Sequence, residues 1–132
     1  MKYIRHIGFL FLLVFTPAQK IEPVKILFVG NSFTFYFNLP LVVESMAEEK
    51  SIKLNVVQST AGGASLKDHW DGKKKLSTKS IIQKNSFSKI ILQDYSTNPV
   101  MKKTESMKYF KKFIDLINKQ KAEIYLYGTR PV

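Results

Sequence analysis

Ser32 is the side chain in this 132-residue chain best suited to act as a nucleophile. It closes the stretch Lys25-Ile-Leu-Phe-Val-Gly-Asn-Ser, in which Ile26 to Val29 form an unbroken apolar run rich in β-formers. Such a run fits a strand buried on both faces of a parallel sheet. Gly30 permits backbone angles that other residues resist, and Asn31 and Ser32 set small polar side chains where the strand must turn toward a helix. Ser32 is therefore predicted at the strand's carboxyl end, the edge where open α/β sheets bind ligands, and a Ser on a tight strand-to-helix turn suits covalent catalysis. Two other stretches have the chemistry to join it. Gly62-Gly63 gives a loop whose backbone N–H groups are free to turn toward a ligand. Leu92-Gln93-Asp94-Tyr95-Ser96 leaves another apolar run in the same way that Ser32 leaves the first.

The elements that must position these residues follow in order. An aromatic-rich loop, residues 33–37, leads to a helix with Asn38 as N-cap and Pro40 in its first turn. That helix runs to about Lys50 and places Leu39, Val42, Val43 and Met46 toward the sheet. Residues 52–58 read as a second strand and 59–72 as a loop; a short helix over 76–84 precedes a third strand over 87–92. Thr104 caps the next helix, which runs to about Lys121 and sets Met107, Phe110, Ile114 and Ile117 on one face. A fourth strand covers 123–127. Alternation of strands and helices argues for an α/β chain with a parallel sheet and helices on both faces.

Composition bounds the partners. Met1 to His6 carry Lys2 and Arg5, Ile7 to Phe15 are apolar apart from Gly8, and Thr16-Pro17-Ala18 supplies the small residues a signal peptidase reads. Residues 1–18 are thus expected to be a cleaved signal peptide, giving a secreted or periplasmic protein with domain residues 19–132. Nine residues fall well short of the ~20 needed to span a bilayer, so no stable membrane insertion is expected after cleavage. Without Lys2 and Arg5, 19 of the 21 basic residues remain against 10 acidic ones, a charge of +9. This charge attracts polyanions, yet no nucleic-acid motif accompanies it and the lysines are scattered over helix faces and loops, so no nucleic acid is expected. The chain has no Cys and, after position 18, a single His, which leaves neither a disulfide nor a metal centre to expect. No cofactor motif is present: neither Gly-x-Gly-x-x-Gly nor Gly-Lys-Ser/Thr occurs.

Taken together, Gly30-Asn31-Ser32-Phe33-Thr34, Gly62-Gly63-Ala64-Ser65-Leu66 and Leu92-Gln93-Asp94-Tyr95-Ser96 resemble the SGNH, or GDSL-type, hydrolase superfamily. The resemblance implies a flavodoxin-like three-layer sandwich with sheet order 2-1-3-4, ended here before the fifth strand. It also implies a serine esterase acting on a small-molecule or carbohydrate ester, an acyl group on a carbohydrate being the candidate. Ser32 would be the nucleophile. Its own amide and that of Gly63 would face the oxyanion, with the Gln93 carboxamide replacing the family's Asn, and Asn31, Gly62 and His69 would line the pocket.

Two departures bear on activity. The third block usually reads Gly-x-Asn-Asp, against Leu92-Gln93-Asp94-Tyr95-Ser96 here, and no Asp-x-x-His occurs anywhere. His69 follows Asp68 directly, and sequence neighbours rarely form the acid–base pair of a triad, because the carboxylate must reach the ring's far nitrogen. The expectation is therefore the N-terminal part of a hydrolase, without an evident base. The alternative is a non-catalytic module that binds glycans or polyanions in the same cleft.

Overall fold

The structure is a computed structural model and describes residues 22–129. The expected signal peptide lies outside the described residues. Strand β1 (Val24–Gly30) is followed by a four-residue helix α1 (Ser32–Phe35) and by α2 (Leu39–Glu48). Then come β2 (Leu54–Thr60), α3 (Leu66–Asp71), α4 (Thr78–Lys84), β3 (Lys89–Leu92), α5 (Asn98–Met101), α6 (Lys103–Ile117) and β4 (Glu123–Leu126). All pairings are parallel and the order is β2-β1-β3-β4, as expected.

Strand direction and connection hand place the helices. The β1-to-β2 connection runs one way along the sheet and the β2-to-β3 and β3-to-β4 connections run the other, so right-handed crossovers put α1 and α2 on one face and α3, α4 and α6 on the opposite face. The register aligns Val57, Leu27, Ile90 and Ile124 across the four strands, and Val29 beside Leu92 one pleat further. Leu27, Val29, Ile90 and Leu92 meet Leu66 of α3, Ile82 of α4 and Phe113 and Ile117 of α6 in one core. Burying side chains of this size contributes about 1.5–3 kcal/mol each.

Two helices bury different residues from those expected. In α6 the buried positions are Ser106, Tyr109, Phe113 and Ile117, while Met107 is 59% exposed; Thr104 is not its cap, because the helix starts at Lys103 directly after α5. In α2 Val42 and Met46 are exposed, and the half-buried stripe is Leu39, Val43 and Ala47, spaced by four. Asn38 does stand at the N-cap position of α2, but with φ 54° and no side-chain cap bond. Among the described residues no helix is long and apolar enough to cross a membrane.

Candidate active site

The order reverses between β1 and β3, the topological switch point where open α/β sheets bind ligands. Ser32 follows the carboxyl end of β1 and Gln93 that of β3. Asn31 caps α1: its Oδ1 accepts from the Phe33 N–H at 3.2 Å. Ser32 opens the first turn, where backbone amides have no intrahelical acceptor. Among the described residues, no hydrogen bond engages the Ser32 N–H or its hydroxyl.

Everything behind Ser32 is bonded. Asn31 Nδ2 donates to Ala64 O at 3.0 Å and to Asp94 O at 3.3 Å, while Gln93 Nε2 donates to Asn31 Oδ1 at 3.0 Å. Gln93 Oε1 accepts from the Asn31 N–H at 3.1 Å and from the Thr34 hydroxyl at 2.6 Å. Both carboxamides are fully buried, and the two carbonyls facing Asn31 Nδ2 fix the orientation of that amide. Gly30 makes the arrangement possible, since a Cβ there would strike Thr34 Oγ1 and Gln93 Oε1.

This geometry corrects two expectations. Asn31 does not line a pocket but is sealed inside, making all four bonds its side chain can make. Gln93 is likewise buried and committed to Asn31 and Thr34; the cavity of about 490 Å³ at Ser32 is lined instead by Phe33, Tyr36, Phe37 and Tyr127. Gln93 holds the Ser32 turn from behind.

His69 is corrected as well, because it is completely buried on α3 and lines no pocket. Its Nε2 lies 2.9 Å from the Gly30 carbonyl, which can only accept, so Nε2 carries the proton. Neutral Nδ1, 2.7 Å from Thr78 Oγ1, then accepts from that hydroxyl, and Thr78 in turn lies 2.8 Å from Ser59 Oγ. Burial drives the His69 pKa below its usual value, against the raising influence of the Gly30 bond and of Asp68 and Asp94. With both nitrogens occupied, His69 is a structural link between α3, β1 and α4.

The second glycine block lies beside the Ser32 turn. Ser32 and Gly63 are each one residue away from the Asn31-to-Ala64 hydrogen bond. Gly62 and Gly63 are exposed, and Gly63 has φ +61°. Its N–H has no acceptor among the described residues. A Cβ on Gly63 would have room, 3.7 Å from Lys74 Nζ, so only the backbone angle disfavours a side chain. Gly63→Ala is accordingly expected to destabilise by about 1–2 kcal/mol, read by urea denaturation, without disturbing the core.

Asp68 and Asp94 organise this edge. Asp68 forms a capping box with Ser65 at the start of α3. Burial raises its pKa, but the bonds from the Ser65 N–H and hydroxyl, with Lys73 and Lys74 nearby, leave the net shift downward. Asp94 Oδ1 accepts from Leu66 N, Tyr95 N and Asn98 Nδ2, tying the end of β3 to α3 and α5. Among the described residues no group of three or more His, Cys, Asp or Glu is arranged to hold a metal ion.

No family model and no curated protein sequence matches the chain. Solved structures do. A candidate SGNH hydrolase from Slackia heliotrinireducens is similar at TM-score 0.68 and 21% identity, over 82% of this chain and 57% of that one. A DUF4886 family protein from Bacteroides uniformis is similar at TM-score 0.63 and 15% identity, over 80% of this chain and 49% of that one. TesA is similar at TM-score 0.60 and 11% identity, over 80% of this chain and 60% of that one. The chain spans from about half to three fifths of the length of these proteins. Its fold is the flavodoxin-like α/β sandwich found in an SGNH-type hydrolase.

Proposed function

We propose that this chain carries the nucleophile and the oxyanion donors of an exported SGNH-type serine esterase, acting on an ester such as an acylated carbohydrate. One observation carries the reading. At the switch point of the sheet, the Ser32 hydroxyl, the Ser32 N–H and the Gly63 N–H are unengaged among the described residues, while the polar groups behind them are bonded and buried. Ser32 Oγ attacks the ester carbonyl and passes its proton to a base, and the developing oxyanion is met by the two amides. Collapse expels the alcohol and leaves an acyl-Ser32, which water hydrolyses. Each oxyanion donor is worth roughly 10²-fold or more in rate. His69, held at both nitrogens, is not that base, and these 132 residues contain no Asp-x-x-His to supply one.

The test is covalent labelling. With the reading frame extended to include an Asp-x-x-His segment, a fluorophosphonate probe should label the protein and p-nitrophenyl acetate should be turned over. Ser32→Ala should abolish both. Residues 19–132 alone should show at most residual turnover, on the order of 10³-fold over water. Full activity of the extended protein without Ser32 would overturn the proposal.

The second reading is a module that binds glycans or polyanions without catalysis. It is favoured by a cavity of about 470 Å³ beside Gly63 that Lys67, Lys73 and Lys102 line together with Asp68 and Glu105, the latter paired with Lys67 at 3.2 Å. On that reading, a sulfated polysaccharide binds equally to wild type and Ser32→Ala, and no probe labels either.

A further inference from the structure

We infer that Lys74 is a positioning residue that latches the Gly62–Gly63 peptide in one of its two orientations and so aims the Gly63 N–H; its catalytic meaning rests on the hydrolase reading above. Ala61 to Ala64 form a tight turn closed by the Ala64 N–H on Ala61 O at 3.1 Å. Gly62 has an ordinary φ and Gly63 a φ of +61°, the pattern of a type II turn. Types I and II differ by about 150° in ψ at the second residue and about 170° in φ at the third. The central peptide therefore turns over between them while the ends of the turn stay in place. In most sequences a Cβ at the third position decides between them. With glycine at both central positions, neither orientation meets a steric bar, and the choice falls to an outside contact.

Lys74 makes that contact. Its Nζ donates to Gly62 O at 2.7 Å across twelve residues of sequence. The peptide between Gly62 and Gly63 is trans, so its C=O and N–H point in opposite directions. Holding Gly62 O on the Lys74 side holds the Gly63 N–H on the other side, free of any acceptor among the described residues. A charge-assisted bond to the carbonyl also polarises the peptide and strengthens its N–H as a donor.

The backbone at Lys74 is itself held in an uncommon conformation. Lys74 has φ 54° and ψ 31°, and Lys75 follows with φ 61°. The left-handed region costs a non-glycine residue roughly 1–2 kcal/mol. Lys73 to Lys75 are exposed, so burial of these side chains does not offset it.

The test uses isotope-labelled protein of the full chain as wild type, Lys74→Met, Lys74→Arg and Lys50→Met, the last an exposed lysine that serves as a control for lost charge. Wild type should give one sharp Gly63 amide resonance. In Lys74→Met that resonance should broaden or double and its hydrogen-exchange rate should change severalfold, with the melting temperature and the core resonances unmoved. Lys74→Arg, which keeps a cationic donor, should restore the wild-type signal, and Lys50→Met should not alter it. Unchanged Gly62 and Gly63 signals in Lys74→Met would overturn the latch, whatever the enzyme does. Labelling of Ser32 in the extended protein is a separate readout, expected to slow about tenfold in Lys74→Met. If no variant is labelled while the Gly63 signal responds to Lys74, the hydrolase reading falls and the latch stands.

Discussion

Asn31→Ala is expected to destabilise the fold by about 3 kcal/mol or more, through the loss of bonds that nothing else can replace. The substitution strands the Ala64 and Asp94 carbonyls and the Gln93 amide in the interior, and removes the cap of α1. A buried polar group left without its partner costs about 1–3 kcal/mol, and a lost N-cap about 1 kcal/mol. The contributions are not additive, which keeps the expectation near the lower end of their sum. For a domain of this size the melting temperature should fall by at least ~10 °C. Asn31→Asp should be no milder, because it turns a carboxylate oxygen toward the same two carbonyls. Asn38→Ala is the contrast: Asn38 occupies a cap position without a side-chain bond, and only its left-handed φ of 54° disfavours Ala, so the loss should be no more than about 1 kcal/mol. Denaturation midpoints decide the matter, and a loss under 1 kcal/mol for Asn31→Ala would mean that the buried network does not hold the turn.

His69 should make stability depend on pH in a defined window. Its folded pKa is depressed, chiefly by burial, whereas in the unfolded chain it titrates near the usual value of 6.5. Below that value the unfolded state binds a proton that the folded state refuses. Stability contributed by the neutral ring is therefore fully present above pH ~6.5 and declines as pH falls, with a limiting slope of about 1.4 kcal/mol per pH unit. Asp68, with its pKa lowered from an ordinary carboxylate value, weakens the fold only at more acidic pH, outside this window. Urea denaturation at pH 5, 6 and 7.5 should show the decline in wild type and a much flatter response in His69→Gln, whose amide retains part of the bonding without titrating between pH 5 and 8. Equal slopes in the two proteins would show that His69 is not the group responsible.

The fold was legible because its strands are. Ile26 to Val29 and Ile90 to Leu92 are continuous apolar runs with β-branched residues, short and bounded by turn residues, which fit strands of a sheet covered on both faces. Helix α3 was hidden inside a glycine-bearing loop, although Ser65-Leu66-Lys67-Asp68 is a capping-box pattern that marks its start. The faces of α2 and α6 were displaced because several apolar side chains of these helices remain exposed, so periodicity did not single out the buried stripe. At the site, Ser32 and the two glycines belong to local turns that sequence describes well. The roles of Asn31 and Gln93, and the bond of His69 to Gly30, depend on partners 33 to 63 residues away, and no local pattern distinguishes a carboxamide aimed at a substrate from one aimed at another carboxamide.

The separation of Asn31 from Gln93, 62 positions along the chain, also has a kinetic consequence. The turn bearing Ser32 acquires its shape only when β3 docks beside β1, a contact whose loop-closure entropy must be met after β2, α3 and α4 have already been threaded through. A chain whose synthesis has not yet reached β3 therefore carries the Ser32 hydroxyl but not the turn that holds it. Completion of the Ser32 turn is thus tied to closure of the sheet's central pair, β1 with β3.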